Sequence, residues 1–151
     1  MKFEVVSVSI SEKRGVQKHE VQEIECIAGS GIKRDAHAGN WHRQVTLLAK
    51  EVIDEAIERI NKKGKNIFVG PGTFAENIVT SGVDWSKARV GGKIKINEVE
   101  MQVTQKGKEY DKNNPIFKIT GEYLLPIHGV FAKVIKGGKI HVKDCGYYSF
   151  R

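Results

Sequence analysis

Between Gly31 and Gly39 the chain places Arg34, Asp35 and His37, and the run His42-Arg43-Gln44 follows at once. Imidazoles can move a proton or donate a hydrogen bond, and a guanidinium can clasp a phosphate or carboxylate with two parallel N–H bonds. The flanking glycines allow sharp bends and close approach to a ligand. Arg43 stands just before Val45-Thr46-Leu47-Leu48, an apolar run that reads as a buried strand, so its fork can be fixed at a strand start. The spacing equally allows a structural pairing of Arg43 with Asp35 or Glu76. Asp35 itself suits either a site acid or a turn cap that bonds its own backbone.

A second compact cluster, Pro71-Gly72-Thr73-Phe74-Ala75-Glu76-Asn77-Ile78, also runs into a strand-like segment. Pro71-Gly72 is turn chemistry, and Phe74 reads as core. Glu76-Asn77 pairs a carboxylate with a carboxamide, which can read the donor and acceptor edge of a heterocycle such as a pterin. The same pair can tie a loop to neighbouring backbone, the commoner use of such groups. Polar loops on a rigid scaffold are where binding chemistry collects, so the two clusters could converge on one pocket.

The elements that must position these loops are mostly strands. Phe3–Ile10 alternates as a half-buried strand, and Val21–Ile27 reads as another. Lys50 to Ile60 changes period: Val52, Ile53, Ala56, Ile57 and Ile60 share one helical face, and Gly64 follows as a stop. Lys93-Ile94-Lys95-Ile96, the turn Asn97-Glu98 and Val99–Thr104 predict a hairpin. A second hairpin is expected at Val130–Ile135 and Ile140–Val142, turning on Gly137-Gly138. Short strands with glycine turns and one solid helix predict a mainly β barrel rather than a parallel α/β sheet. No internal repeat or linker interrupts residues 1–151, so one domain is expected.

The 151 residues suffice for a core without staples. No apolar run approaches the roughly 20 residues of a membrane helix, and no basic-then-apolar leader opens the chain, so a cytoplasmic protein is expected. The net charge of +7 suits an anionic partner: nucleic acid, a membrane surface or a phosphorylated small molecule. The lysines are scattered among acids without interleaved aromatic residues, which argues against a nucleic-acid stacking platform. Cys26 and Cys145 have no metal-ligand spacing and read as unpaired thiols.

Gly31-Ile32-x-x-Asp35-Ala36-His37-Ala38-Gly39, His42-Arg43-Gln44-Val45 and Gly72-x-x-x-Glu76-Asn77-Ile78 resemble the signatures of the MOSC family, the domains similar to the C-terminal part of molybdenum cofactor sulfurases. The resemblance continues through Val90-Gly91-Gly92-Lys93-Ile94, Gln105-x-Gly107-Lys108 and Pro126-x-x-Gly129-Val130-Phe131-Ala132 to Gly137-Gly138. It implies a MOSC-type β-barrel with one well-defined amphipathic helix, short additional helical turns and a pocket for the molybdenum cofactor, a phosphorylated pterin with a dithiolene-held metal. By position, His37 and Arg43 would face its anionic part, with Gln44, Glu76 and Asn77 shaping the pocket. The family is also associated with pyridoxal phosphate through an accompanying cysteine desulfurase domain, but nothing here resembles that domain or a Schiff-base lysine site.

One departure bears on activity. Many family members carry a cysteine after the Gly-Lys-Glu segment, held to carry sulfur or bind the metal; here Tyr110 follows Gly107-Lys108-Glu109. A phenol forms no persulfide and is a poor ligand for a soft metal site. By position Tyr110 should line the pocket and narrow it. The reading is therefore a stand-alone MOSC domain that binds the molybdenum cofactor for storage, delivery or sensing, its partners drawn from cofactor biosynthesis proteins or molybdoenzymes. Two alternatives stay open: a cofactor-dependent reductase or sulfur-transfer component with a partner that supplies the thiol, and, from charge alone, a nucleic-acid-binding module.

Overall fold

Alternation in the opening residues becomes β1 (Lys2–Ile10), a strand long enough to serve three neighbours. The computed structural model describes residues 1–150. After β1 come β2 (His19–Val21), β3 (Glu23–Ile27), β4 (Gly31–Ile32), β5 (Val45–Ala49), α1 (Lys50–Lys62) and β6 (Ile78–Ser81). A 3-10 turn at Trp85–Lys87 leads to β7 (Lys93–Ile96), β8 (Val99–Lys106), α2 (Pro115–Thr120) and α3 (Leu124–His128). The chain closes with β9 (Val130–Lys136), β10 (Gly138–His141) and β11 (Cys145–Ser149).

Seven strands form a closed barrel in the order β11-β7-β8-β9-β5-β6-β1, sealed by β1 pairing with β11. A register shift between Val5 and Ser7 bends β1, which pairs with β11 near its start and with β6 and β2 farther along. The pairings around the barrel are antiparallel except β5–β6. A parallel neighbour cannot be reached through a tight turn, and α1 supplies part of the crossover. The one strongly periodic helix thus stands where the topology requires one. The Asn97-Glu98 hairpin also forms as expected, with Ile96 opposite Val99 and Asn97 at φ 54°.

Two sequence expectations are corrected. The single strand over 21–27 is split: Val21 still pairs with Val8 of β1, whereas β3 leaves for a second sheet of order β10-β3-β4. The Gly137-Gly138 hairpin does not form. β9 pairs with β5 and β8, and β10 pairs with β3. The glycines serve close approach instead, since a Cβ at Gly137 would lie 2.6 Å from the Cys26 carbonyl oxygen.

β5 is buried on both faces, which explains its continuous apolar run. Val45 and Leu47 join Val5, Ile78, Ile94, Met101 and Val134 in the main core. Leu48 belongs to a second cluster, where Ile53, Ala56 and Ile60 of α1 meet Phe74, Leu124, Leu125 and Phe131. This second cluster lies beside the candidate site.

Candidate functional site

Thr46 of β5 and Phe131 of β9 form the floor of a cavity of about 150 Å3. His37 and Arg43 from the first polar loop, Phe74 and Ala75 from the second, and Lys108 and Glu109 after β8 also line it. The α2–α3 segment adds Ile116, Phe117, Tyr123 and Leu125 to the lining. The two loops thus converge on one cavity, as their composition suggested.

Arg43 is held by ring faces rather than by a strong ion pair. Its guanidinium carbon lies 5.2 Å from the centroid of Trp41 and 5.5 Å from that of Phe131. Among the described residues its one ion-pair contact is Glu109, 3.7 Å away and 71% exposed, a pairing of little energetic weight. Its Nε is buried with no hydrogen-bond partner among the described residues. Neither structural partner allowed by the spacing reaches it, because Asp35 and Glu76 are committed elsewhere. Burial lowers the Lys108 ammonium from its ordinary value, and the nearby Arg43 charge lowers it further. On the wall, Glu122 is engaged by Arg59 at 2.7 Å, while Asp111 is exposed. Two cations therefore share a part-buried space without a buried carboxylate of their own.

Asp35 takes the turn-capping use and adds a buried ion pair. Its Oδ2 accepts the His37 backbone N–H at 3.0 Å, a local turn, while Oδ1 takes the Ser11 N–H at 3.0 Å and the Lys18 ammonium at 2.8 Å. Both side chains of the Lys18–Asp35 pair are fully buried. Burial alone would raise the Asp35 carboxyl, but the adjacent His37, the hydrogen bond and charge of Lys18 and the Ser11 N–H hold it well below the usual carboxylate range. Lys18 also contacts His37 Nδ1 at 3.1 Å. His37 stacks on Trp41 with ring planes 9° apart, and the Trp41 indole N–H donates to the His37 carbonyl at 2.7 Å. His42 is exposed, joined to Gln105 at 2.9 Å and outside the cavity wall.

The other expected site residues serve the scaffold. Gln44 Oε1 accepts the Val134 N–H of β9 at 2.9 Å. Asn77 Oδ1 accepts the Thr46 N–H at 2.9 Å, and its amide donates to the Ser9 carbonyl at 3.1 Å. Glu76 accepts the N–H groups of Gly72 at 2.7 Å and Phe74 at 3.0 Å. Burial pushes its carboxyl up to about 7, against the pull of those backbone bonds and of Lys18. None of the three lines the cavity. Buried backbone groups there need partners, and these side chains supply them.

Tyr110 is also corrected. It is 62% exposed and lies outside the cavity lining, its ring packed edge-on against Tyr123 with centroids 4.9 Å apart. Tyr123, stacked on Phe117 at 3.9 Å, forms the wall in its place. Neither cysteine reaches the cavity: Cys26 is buried in β3, and Cys145 is exposed at the start of β11. Among the described residues no cluster of three or more His, Cys, Asp or Glu could hold a metal, and no helix is long and apolar enough to cross a membrane.

Sequence reasoning missed Lys18 and gave Lys108 no role. Lys108 lay inside a quoted motif and could have been paired with Arg43. Lys18 sits in Val16-Gln17-Lys18-His19, where nothing local signals burial.

A family model described as the MOSC domain matches residues 34–109. Among solved structures, YiiM from Escherichia coli is similar over all of this chain and 71% of its own, at 22% identity and a TM-score of 0.72. The YuaD protein from Bacillus subtilis is similar over all of this chain and 98% of its own, at 17% identity and a TM-score of 0.72. YiiM from Geobacillus stearothermophilus covers 97% of this chain and 75% of its own, at 15% identity and a TM-score of 0.68. At such identities the likeness shows the fold. No curated protein matches the chain.

Proposed function

This chain belongs to the MOSC domain family, and from that premise we propose that it binds the molybdenum cofactor, or a related anionic pterin, for storage, delivery or sensing. The observation that carries the reading is Arg43, whose buried Nε has no partner among the described residues, sharing its cavity with Lys108, an ammonium lowered first by burial and then by the Arg43 charge. A phosphate entering there would satisfy the fork and relieve the repulsion between the two cations. The cavity, about 150 Å3, is smaller than the roughly 300–1,000 Å3 of pockets that enclose whole ligands. The chain would therefore grip the anionic end, leaving the pterin to extend along the wall of Phe117 and Tyr123.

When bound, the cofactor supplies a redox-active metal on its own dithiolene sulfurs. Arg43 and Lys108 would bind and orient the phosphate, His37 would donate a hydrogen bond beside them, and Phe74 and Phe131 would exclude water from the floor. The partners of such a carrier are cofactor biosynthesis proteins or molybdoenzymes. A reductase or sulfur-transfer role would draw its thiol from a partner, since the described cavity wall contains none.

Native mass spectrometry of the purified protein tests the reading. A bound pterin with molybdenum or tungsten is expected. Protein expressed in a cofactor-producing host that carries neither, and that also fails to bind inorganic phosphate, would overturn it. Turnover of the loaded protein with an added electron donor would identify the enzyme.

A further inference from the structure

We infer that Lys18 is a positioning residue that locks His37 in one tautomer, making its Nε2–H a fixed donor into the cavity; the ligand side of this inference rests on the anion-binding reading above. The argument is hydrogen accounting. An ammonium has three N–H donors and no acceptor. Lys18 Nζ lies 3.0 Å from Ser11 Oγ, 2.8 Å from Asp35 Oδ1 and 3.1 Å from His37 Nδ1. Ser11 Oγ spends its own proton on the Lys13 carbonyl at 2.8 Å, so it is free to accept. The ammonium thus has three neighbours, and each must accept.

For His37 this settles which nitrogen carries the hydrogen. A proton on Nδ1 would face the Lys18 ammonium, donor against donor, at a hydrogen-bonding distance. The alternative partner for such a proton, Asp35 Oδ2, is farther away at 3.5 Å and already accepts the His37 backbone N–H. The ring hydrogen therefore belongs on Nε2. No hydrogen bond to Nε2 occurs among the described residues, and His37 lines the cavity. Stacking on Trp41 restrains its rotation.

The second polar loop holds this device in place. The Lys18 backbone N–H donates to the Gly72 carbonyl at 2.8 Å, and a Cβ at Gly72 would lie 2.2 Å from the Lys18 carbonyl oxygen. Glu76 clamps Gly72 in turn. One loop anchors the lysine backbone, and the lysine side chain orders the other loop. A ligand meets a donor whose orientation is set before binding, which lowers the cost of ordering.

Long-range 1H–15N spectra of the full chain at pH 7.5, with the His37 resonances assigned by His37→Gln, test the inference directly. A protonated Nε2 and an unprotonated, accepting Nδ1 are expected in the wild type. Lys18→Met alone leaves Asp35 buried and unpaired, so Lys18→Met with Asp35→Asn serves as the folded comparison. In that double variant the His37 proton should redistribute toward Nδ1, and affinity for inorganic phosphate should fall about fivefold, the equivalent of one ordinary hydrogen bond. A wild-type proton on Nδ1, or a tautomer unchanged in the double variant, would overturn the inference. So would wild-type phosphate affinity in the double variant while Arg43→Ala weakens binding. If the wild type shows the Nε2–H tautomer and binds no phosphate, the function reading falls while the positioning of His37 by Lys18 stands.

Discussion

Arg43 and Asp35 began as equally versatile residues, and their partners separate them. Arg43 gains almost nothing for the fold from Glu109, so its removal should cost binding rather than stability. Arg43→Ala is expected to weaken inorganic phosphate by about 1.5–3 kcal/mol, the value of a hydrogen bond to a charged group. Arg43→Lys should fall between, keeping charge but losing the fork. Titration calorimetry with thermal melts checks this; a collapsed melting temperature with retained binding would return Arg43 to the scaffold. Asp35→Asn should do the opposite. It strands the fully buried Lys18 charge, and losing one partner of a buried pair costs about 3–5 kcal/mol, readable by urea unfolding. Residue types in the sequence pointed to His37 and Arg43 because a glycine-fenced loop has few scaffold reasons to collect them. The structural partners of Gln44, Glu76 and Asn77 were not legible, because their buried backbone neighbours are invisible until strands pair. Lys18 was illegible because its polar partners lie at residues 11, 35, 37 and 72, apart from it in sequence.

At the scale of elements, the Gly72–Asn77 turn is the more demanding of the two loops. Ala75, on the cavity wall, adopts φ 67°, a left-handed conformation that costs a non-glycine residue about 1–2 kcal/mol. Glu76 holds that turn while fully buried, which makes the turn responsive to pH. Its carboxyl titrates near 7 in the folded chain against an ordinary 4.5. Between these values the folded chain keeps a proton that the unfolded chain has lost, so the Glu76 contribution is full below 4.5 and declines as pH rises through 7. Asp35 acts in the opposite sense and only at lower pH, where its depressed carboxyl loses stability as pH falls. Unfolding free energies from pH 5 to 8 should therefore decline less steeply for Glu76→Gln than for the wild type. Equal slopes would show that Glu76 stays ionised throughout. Local pattern was enough for α1 and the Asn97-Glu98 hairpin, where the signal and the partner are adjacent in sequence. It misled at Gly137-Gly138, because a glycine pair marks a tight turn and a close backbone crossing equally well.

On the scale of the whole molecule, closing the barrel through β1 and β11 decides what the cysteines can do. Cys145 pairs opposite Glu4 at that seam, and Cys26 pairs opposite Ile32 and Gly138 in the small sheet. Neither strand contributes to the cavity wall. Burial pushes the Cys26 thiol up to about 12, so it stays protonated and inert at neutral pH. The barrel architecture was legible from strand spacing and composition; the separation of thiols from the cavity was not, because it depends on which strands meet at closure. Cys26→Ala with Cys145→Ser should consequently leave phosphate affinity, and any pterin retained on native purification, within a few-fold of the wild type. Cys26→Ala removes a small buried group and should cost roughly 1 kcal/mol of stability, which circular dichroism can separate from a binding effect. A variant that stays folded yet loses its pterin would mean that a thiol reaches the bound metal through a rearranged barrel seam. The sulfur-transfer reading would then replace the carrier reading.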